Sequence, residues 1–308
     1  MDQYSVKTME WLDARFRKTD EEGVYIAHQP IYGFRAGHCE PGLSARQIRT
    51  LCILEELSPY SARSLLDVGA AEGYKACLAK KLLGIERVEC CDLSSEAAKR
   101  AKEIFGLRAR QADIHQLPYQ DGEFDAVLCS ETLEHVHDVN KAVEELLRVA
   151  GKLVLITVPN ETVRQVSEAA LSQAPHGHIN AFSANSFDHL KARGWEVVHR
   201  PILSSRLRCV RKIIDADKLC IYNDPPLKKL LLFLFNLLVP LQKVLGNRYL
   251  ASFSFRLDAF FIKLFPGNEA HLFLLARGGV MKSRPGAKKV SAADILNFSV
   301  PLHHLRQQ

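Results

Sequence analysis

With 308 residues, 47% of them apolar, the chain is long enough for one elaborated α/β domain or two modest ones. A formal charge of +6 with 25% charged residues is mild, so no nucleic-acid partner is expected. The eight cysteines form no C-x-x-C pair, which argues against a zinc cluster or disulfide framework and for a reducing compartment. The first residues, MDQYSVKTMEWLDARF, lack the apolar core of a signal peptide, and the expected location is cytoplasmic.

Residues 1–58 read as an N-terminal cap. A short helix pattern is followed by an irregular stretch, His28–Gly42, and then by a helix opening at Ser44, with Gln47 completing a capping box and Pro59 as its stop. Strand one is Ser64–Val68, and its helix runs to Leu83. Strand two, Arg87–Cys91, ends in Asp92, and Ser94 or Ser95 caps the helix EAAKRAKEIF. Strand three lies near Leu107–Arg110 and strand four at Asp125–Ser130. A helix over Val139–Val149 precedes strand five, Lys152–Val158. A helix, a His-rich loop and a short helix in SFDHLKARG lead to strand six, Trp195–His199, and the last strand is His271–Arg277.

This alternation predicts an α/β fold with a doubly wound, mostly parallel seven-stranded sheet of Rossmann-like type. The core is expected over 59–204 plus 269–280, with an apolar helical insertion over 205–268 and a flexible basic tail over 281–308.

In such a sheet, ligands bind at the carboxyl ends of the strands. Strand one ends in Asp67 and a turn containing Gly69, Ala70 and Gly73. Glycine permits positive φ and a close ligand approach, and the following helix N-terminus offers free N–H groups. Asp92 at the end of strand two is placed to accept ribose hydroxyls. Asp113 and Ile114 follow strand three, where a carboxylate beside a backbone N–H suits the amino edge of adenine. Strand four delivers Ser130 and Glu131. The ligand expected is of adenosine type. The turn lacks G-x-G-x-x-G, which disfavours a nicotinamide dehydrogenase.

The series SLLDVGAAEG, CCDLS, QADIHQLPYQDGEFDAVLCSETLEHV and AGKLVLITVPN resembles the class I S-adenosylmethionine-dependent methyltransferases, closest to the small-molecule O- and C-methyltransferase type. The resemblance covers roughly residues 60–200 plus the last strand. It implies that Asp67, Gly69, Ala70 and Gly73 hold the methionine part of the cofactor. Asp92 would bind the ribose, Leu93 would lie against adenine, Asp113 and Ile114 would meet the adenine edge, and Ser130 would flank the cofactor. One departure is visible: Ala71 stands where the family often has a glycine.

Glu131, Glu134 and His135 form E-x-x-E-H, and PHGHINAFS supplies His176 and His178. Three readings stand. Glu131, Glu134, His135 and His178 hold a divalent metal that orients a vicinal diol or catechol, as the resemblance to E-x-x-E-H methyltransferases implies. Alternatively, His178 or His135 is a general base, oriented by Glu134. In the third, the cluster only closes hydrogen bonds around its loop.

The segment Pro226–Gly246 is Leu- and Phe-rich with a basic side, too short to span a bilayer, and a second stripe carries Phe253, Leu257, Phe260, Phe261 and Leu264. Residues 226–265 suit peripheral membrane contact, a lid or a buried helical layer. The expected function is methyl transfer from S-adenosylmethionine, at oxygen, to a small-molecule or lipid-linked acceptor. A non-catalytic cofactor-binding protein or a membrane-associated protein is the alternative of another class.

Overall fold

The computed structural model describes residues 3–21, 23–33, 43–170, 176–202, 247–264, 267, 269–280 and 290–300. Two helices, α1 (Gln3–Phe16) and α2 (Leu43–Leu57), precede an alternating core. That core runs β1 (Ser64–Val68), α3 (Tyr74–Leu83), β2 (Arg87–Asp92), α4 (Ser95–Phe105), β3 (Arg108–Gln111) and β4 (Phe124–Ser130). It continues through α5 (Val139–Val149), β5 (Ala150–Pro159), α6 (Val163–Ala170) and β6 (Trp195–Ile202). Helix α7 (Asn247–Leu264), strand β7 (Ala270–Arg277) and a short α8 (Ala292–Leu296) close the described chain.

The seven strands form one sheet in the order β3-β2-β1-β4-β5-β7-β6. Only β7 is antiparallel, against both β5 and β6. Strand β1 pairs with β2 on one side and β4 on the other, so the chain reverses its direction of sheet growth at β1. That switch point is where a doubly wound sheet opens a crevice.

Side chains alternate between the two faces of a strand, and here each face has its own core. Leu65, Cys90, Leu128 and Leu155 pack toward α2, α3 and the 24–32 segment. Leu66, Val68, Val127, Cys129 and Ile156 pack toward α5, Phe182 and Phe187. Asp67 falls on the same face as Leu65, the face covered by α3. The free thiols Cys77, Cys90, Cys91 and Cys129 are buried.

Local chemistry explains most element ends. Ser94 caps α4, its side chain accepting from the Ala97 N–H, and Asp138 caps α5 in the same way through Lys141. Three expectations change. Helix α2 already includes Leu43, so Ser44 lies inside it and cannot act as its cap. The SFDHLKARG segment forms a 3-10 turn at Asp188–Arg193, closed by Gly194 at φ 83°. Residues 290–300, within the expected tail, pack onto the core. Ser291 and Asp294 form a capping box on α8, Ile295 is fully buried, and the Val300 N–H donates to the Ile31 carbonyl at 2.8 Å. Its apolar anchors Val290, Ile295 and Val300 recur among polar residues at an interval that fits neither helix nor strand, which hid them in the sequence.

Helix α7 buries Phe255 and Ala259 against a core that includes α2, leaving Phe253, Phe260 and Leu264 exposed. Three members of the expected stripe, Phe253, Phe260 and Leu264, thus face away from the core that Phe255 and Ala259 meet. Residues 203–246, with the Pro226–Gly246 segment, lie outside the described residues. No helix among the described residues is long and apolar enough to cross a membrane.

Candidate active site

A cleft of about 770 Å³ of open space lies over the carboxyl ends of β1, β2 and β3. Gly69, Ala71, Asp92, Leu93, Asp113 and Ile114 line it, and Tyr4, Thr8, Leu12 and Phe16 bring α1 across it. Asp92 is almost completely buried at its floor. One carboxylate oxygen accepts from the Ala71 N–H at 2.8 Å and the other from the Ser94 N–H at 2.9 Å. Each keeps lone-pair capacity for a hydroxyl donor. Burial pushes this carboxyl up to about 6, while the two N–H donors hold it down. Asp113 Oδ1 takes the His115 N–H at 3.0 Å and His115 Nδ1 at 2.6 Å, which fixes the carboxylate against the cleft.

The turn after β1 divides its labour. Gly69, at φ 70°, lines the cleft, and a Cβ there would come within 2.2 Å of Thr132 Oγ1. Gly73, at φ 80°, lines no cleft. A Cβ there would sit 2.8 Å from Leu107 Cδ1, so this glycine serves close helix–sheet packing. Ala71 adopts φ 50°, the left-handed region its missing glycine would take more easily. Ala70 is buried, and its carbonyl accepts from Gln29 Nε2 at 3.2 Å.

Asp67 does not line the cleft. It is buried beneath the turn, Oδ2 has no hydrogen-bond partner, and burial, opposed by Lys75, pushes its carboxyl up to about 7. Strand alternation turns Asp67 under α3, beneath the turn that carries Ala70 and Gly73.

A second cavity adjoins the first, sharing His28, Gly69, Ala71, Glu131, His135 and His176. Ser130, Glu134 and His178 line it, as do Arg46, Arg49 and Lys75. Ser130 Oγ lies 2.8 Å from Thr157 Oγ1. Glu131 sits at φ 56°, a strained conformation for a non-glycine residue. It is held by Arg49 Nη1 at 3.0 Å and by Thr157 Oγ1, which donates at 3.1 Å.

A 3-10 turn, Leu133–His135, follows β4. The His loop is fastened onto it: the Ile179 and Asn180 N–H groups donate to the Glu134 carbonyl, and Asn180 Nδ2 donates to Leu133 and Val136. As a result His135 stacks on His176 at 3.7 Å between centroids and meets His178 edge-on at 4.8 Å. His135 Nδ1 contacts the Gly177 carbonyl at 3.1 Å, and His178 Nδ1 contacts Glu161 Oε2 at 2.6 Å. Both rings therefore leave Nε2 as the open nitrogen.

Burial, with His176 and His178 nearby, pushes His135 down to about 2, so it stays neutral. Glu134 is buried, its Oε2 has no partner, and burial beside Glu131 holds its carboxyl well above the usual range. The partner expected to orient His178 was Glu134, but Glu161 takes that position, because the turn aims Glu134 inward. Of the four metal candidates, Glu134, His135 and His178 place donor atoms within 4.8 Å of one another, whereas Glu131 is turned to Arg49 and Thr157.

Sequence reasoning missed Glu161, His28, Arg46, Arg49 and Lys75. Glu161 was within reach: it follows the carboxyl end of β5, the position already examined for the other strands. The rest come from α2, α3 and the cap, and become neighbours only in the fold.

Residues 66–156 match the family described as a methyltransferase domain. Norajmaline N-methyltransferase of Rauvolfia serpentina is 34% identical over 120 residues, 37% of this chain and 41% of that protein. Tocopherol O-methyltransferase of Arabidopsis thaliana is 28% identical over 147 residues, 44% of this chain and 42% of that protein. The matched stretch thus spans about two fifths of these relatives. Among solved structures, a geranyl diphosphate C-methyltransferase of Streptomyces coelicolor A3(2) superposes with a TM-score of 0.53 at 13% identity, covering 90% of this chain and 98% of that one, a likeness of fold. Residues 66–156, which bring the motif turn, Asp92 and Asp113 around one cleft, carry a methyltransferase domain.

Proposed function

We propose that this protein transfers a methyl group from S-adenosylmethionine to a heteroatom, expected to be oxygen, of an acceptor bound in the second cavity, with His178 as general base. The observation that carries the reading is the shared wall of the two cavities at Gly69, Ala71, Glu131 and His135, with the His178–Glu161 pair at its acceptor side. Asp92 holds the ribose, Asp113 the adenine edge, and Gly69 and Ala71 admit the methionine arm. Bound S-adenosylmethionine supplies an electrophilic methyl on a sulfonium. The protein's share is alignment and proton removal. Glu161 fixes the tautomer of His178 with the proton on Nδ1, which leaves Nε2 to take the acceptor's proton. His135 is a poor base because its surroundings keep its nitrogen weakly basic. Exposed Phe253, Phe260 and Leu264 on α7 support a lipophilic or lipid-linked acceptor and contact with a membrane surface through 226–265.

A second reading is favoured by the donor set Glu134, His135 and His178. Both imidazoles are oriented through Nδ1, as metal ligands are, and the buried Glu134 Oε2 lacks a partner, so the residues fit a divalent cation. Such an ion would act as a Lewis acid on an acceptor hydroxyl.

Labelled-methyl transfer to fractionated extract, with lipids as a separate fraction, tests both. The base reading expects label in an acceptor, a loss of about 100-fold or more in His178→Ala, and a smaller loss in Glu161→Gln. No transfer to any fraction by a cofactor-binding protein, or full activity of His178→Ala, overturns it. Metal content and activity unchanged by Glu134→Gln and by chelation exclude the second reading.

A further inference from the structure

We infer that the acceptor carries an oxyanion, a carboxylate or a phosphate, and that Lys75 and Arg49, with Arg46 beside them, bind it. This rests on the reading of the second cavity as the acceptor site. The lining of that cavity combines two chemistries. Glu134, His135 and His178 line it together with three cations from α2 and the first turn of α3. Arg46 and Arg49 are three residues apart and share a helix face.

Lys75 is half-buried, and among the described residues its ammonium forms no ion pair. Asp67 is the acid acting on it most strongly, and Asp67 itself gives up its charge readily, its carboxyl being pushed up to about 7. Arg49 spends Nη1 on Glu131, and its Nε is buried without a hydrogen-bond partner. Glu131 pairs directly with Arg49.

A neutral acceptor that filled this cavity would strip water from the half-buried Lys75 and give nothing back. An oxyanion offers oxygens to Lys75 and to the guanidinium groups lining the cavity, which match it in shape and charge. The cofactor brings a net positive charge of its own through its sulfonium, which strengthens the field on an anion. The acceptor is then bipolar in layout: its oxyanion lies toward α2 and α3, and its methyl-accepting atom lies toward His178.

The test uses the full chain saturated with S-adenosylhomocysteine. It is titrated with inorganic phosphate and, separately, acetate at constant ionic strength, with chloride as control and the histidine ring resonances as readout. The inference expects saturable shifts with at least one of the two anions. Lys75→Met and Arg49→Gln should weaken that binding by about tenfold or more, Lys75→Arg should retain it, and S-adenosylhomocysteine affinity should change by less than about threefold. The phosphate and acetate arms rank the two headgroups. Absence of saturable binding to the loaded protein, or binding that both variants leave intact, overturns the inference alone. A parallel loss of S-adenosylhomocysteine affinity also overturns it, because the cations then serve the cofactor's carboxylate. A wild-type chain that fails to bind S-adenosylhomocysteine refutes the methyltransferase reading as well.

Discussion

The two adjoining cavities share a wall but are assembled differently. The floor of the first is backbone plus Asp92 and Asp113, placed by strand ends and tight turns that are short in sequence. The second is lined by side chains from the cap, α2, α3, the 3-10 turn and the His loop. A strand end fixes its own chemistry locally, whereas a composite wall exists only after long-range packing has put its pieces together. What ties the two halves is a buried pair, Glu72 and Arg100. Glu72 belongs to the turn after β1, and Arg100 to α4. Arg100 donates to the Ile26 and Lys18 carbonyls and lies 4.0 Å over the Tyr25 ring, while Glu72 accepts from the His28 N–H.

The largest expected effect comes from cutting that tie. Arg100→Met leaves Glu72 as an uncompensated buried acid and frees the cap, and should cost about 3–5 kcal/mol in denaturant unfolding. A cost below about 1 kcal/mol would mean that the two halves are held together elsewhere. Pairing Arg100→Met with Glu72→Gln should recover part of the loss.

Next in size is the pH response of Asp67. A buried carboxyl with a raised folded-state pKa keeps its proton longer when folded than when unfolded. The folded state is therefore favoured at acidic pH, and this contribution is lost as pH climbs from the ordinary carboxyl range to about 7. Asp67→Asn removes the titration. Its melting temperature relative to wild type should rise between pH 4.5 and pH 8 by an amount corresponding to ~1–3 kcal/mol. A pH-independent difference would show that Asp67 is charged and compensated throughout.

The smallest effect belongs to Ala71. Ala71→Gly relieves a left-handed alanine but loosens the unfolded chain, so stability should move by no more than about 1 kcal/mol and S-adenosylhomocysteine affinity by less than about threefold. A large gain in affinity would show that the alanine restricts the cleft.

The same contrast explains what the sequence revealed. Asp92, Asp113, Gly69 and the mostly parallel seven-stranded sheet follow from strand periodicity and strand-end chemistry, and α5 has the bounds its pattern predicts. His178 was placed beside His135 correctly, but its partner was not, since the choice between Glu134 and Glu161 depends on how Asn180 fastens the loop. The packed segment at 290–300 escaped because its three buried anchors have no helical or strand period. For α7 the spacing marked the stripe but left its role open, and Phe253, Phe260 and Leu264 on it are exposed.

The central claim is that Asp92 anchors an S-adenosylmethionine-type ligand at the floor of the first cleft. Isothermal titration of the chain with S-adenosylhomocysteine tests it most directly. The account predicts single-site binding by the wild type and a loss of about 100-fold, or ~2.7 kcal/mol, in Asp92→Ala with the fold retained. Equal affinity in the two proteins, or no binding by the wild type, would contradict it.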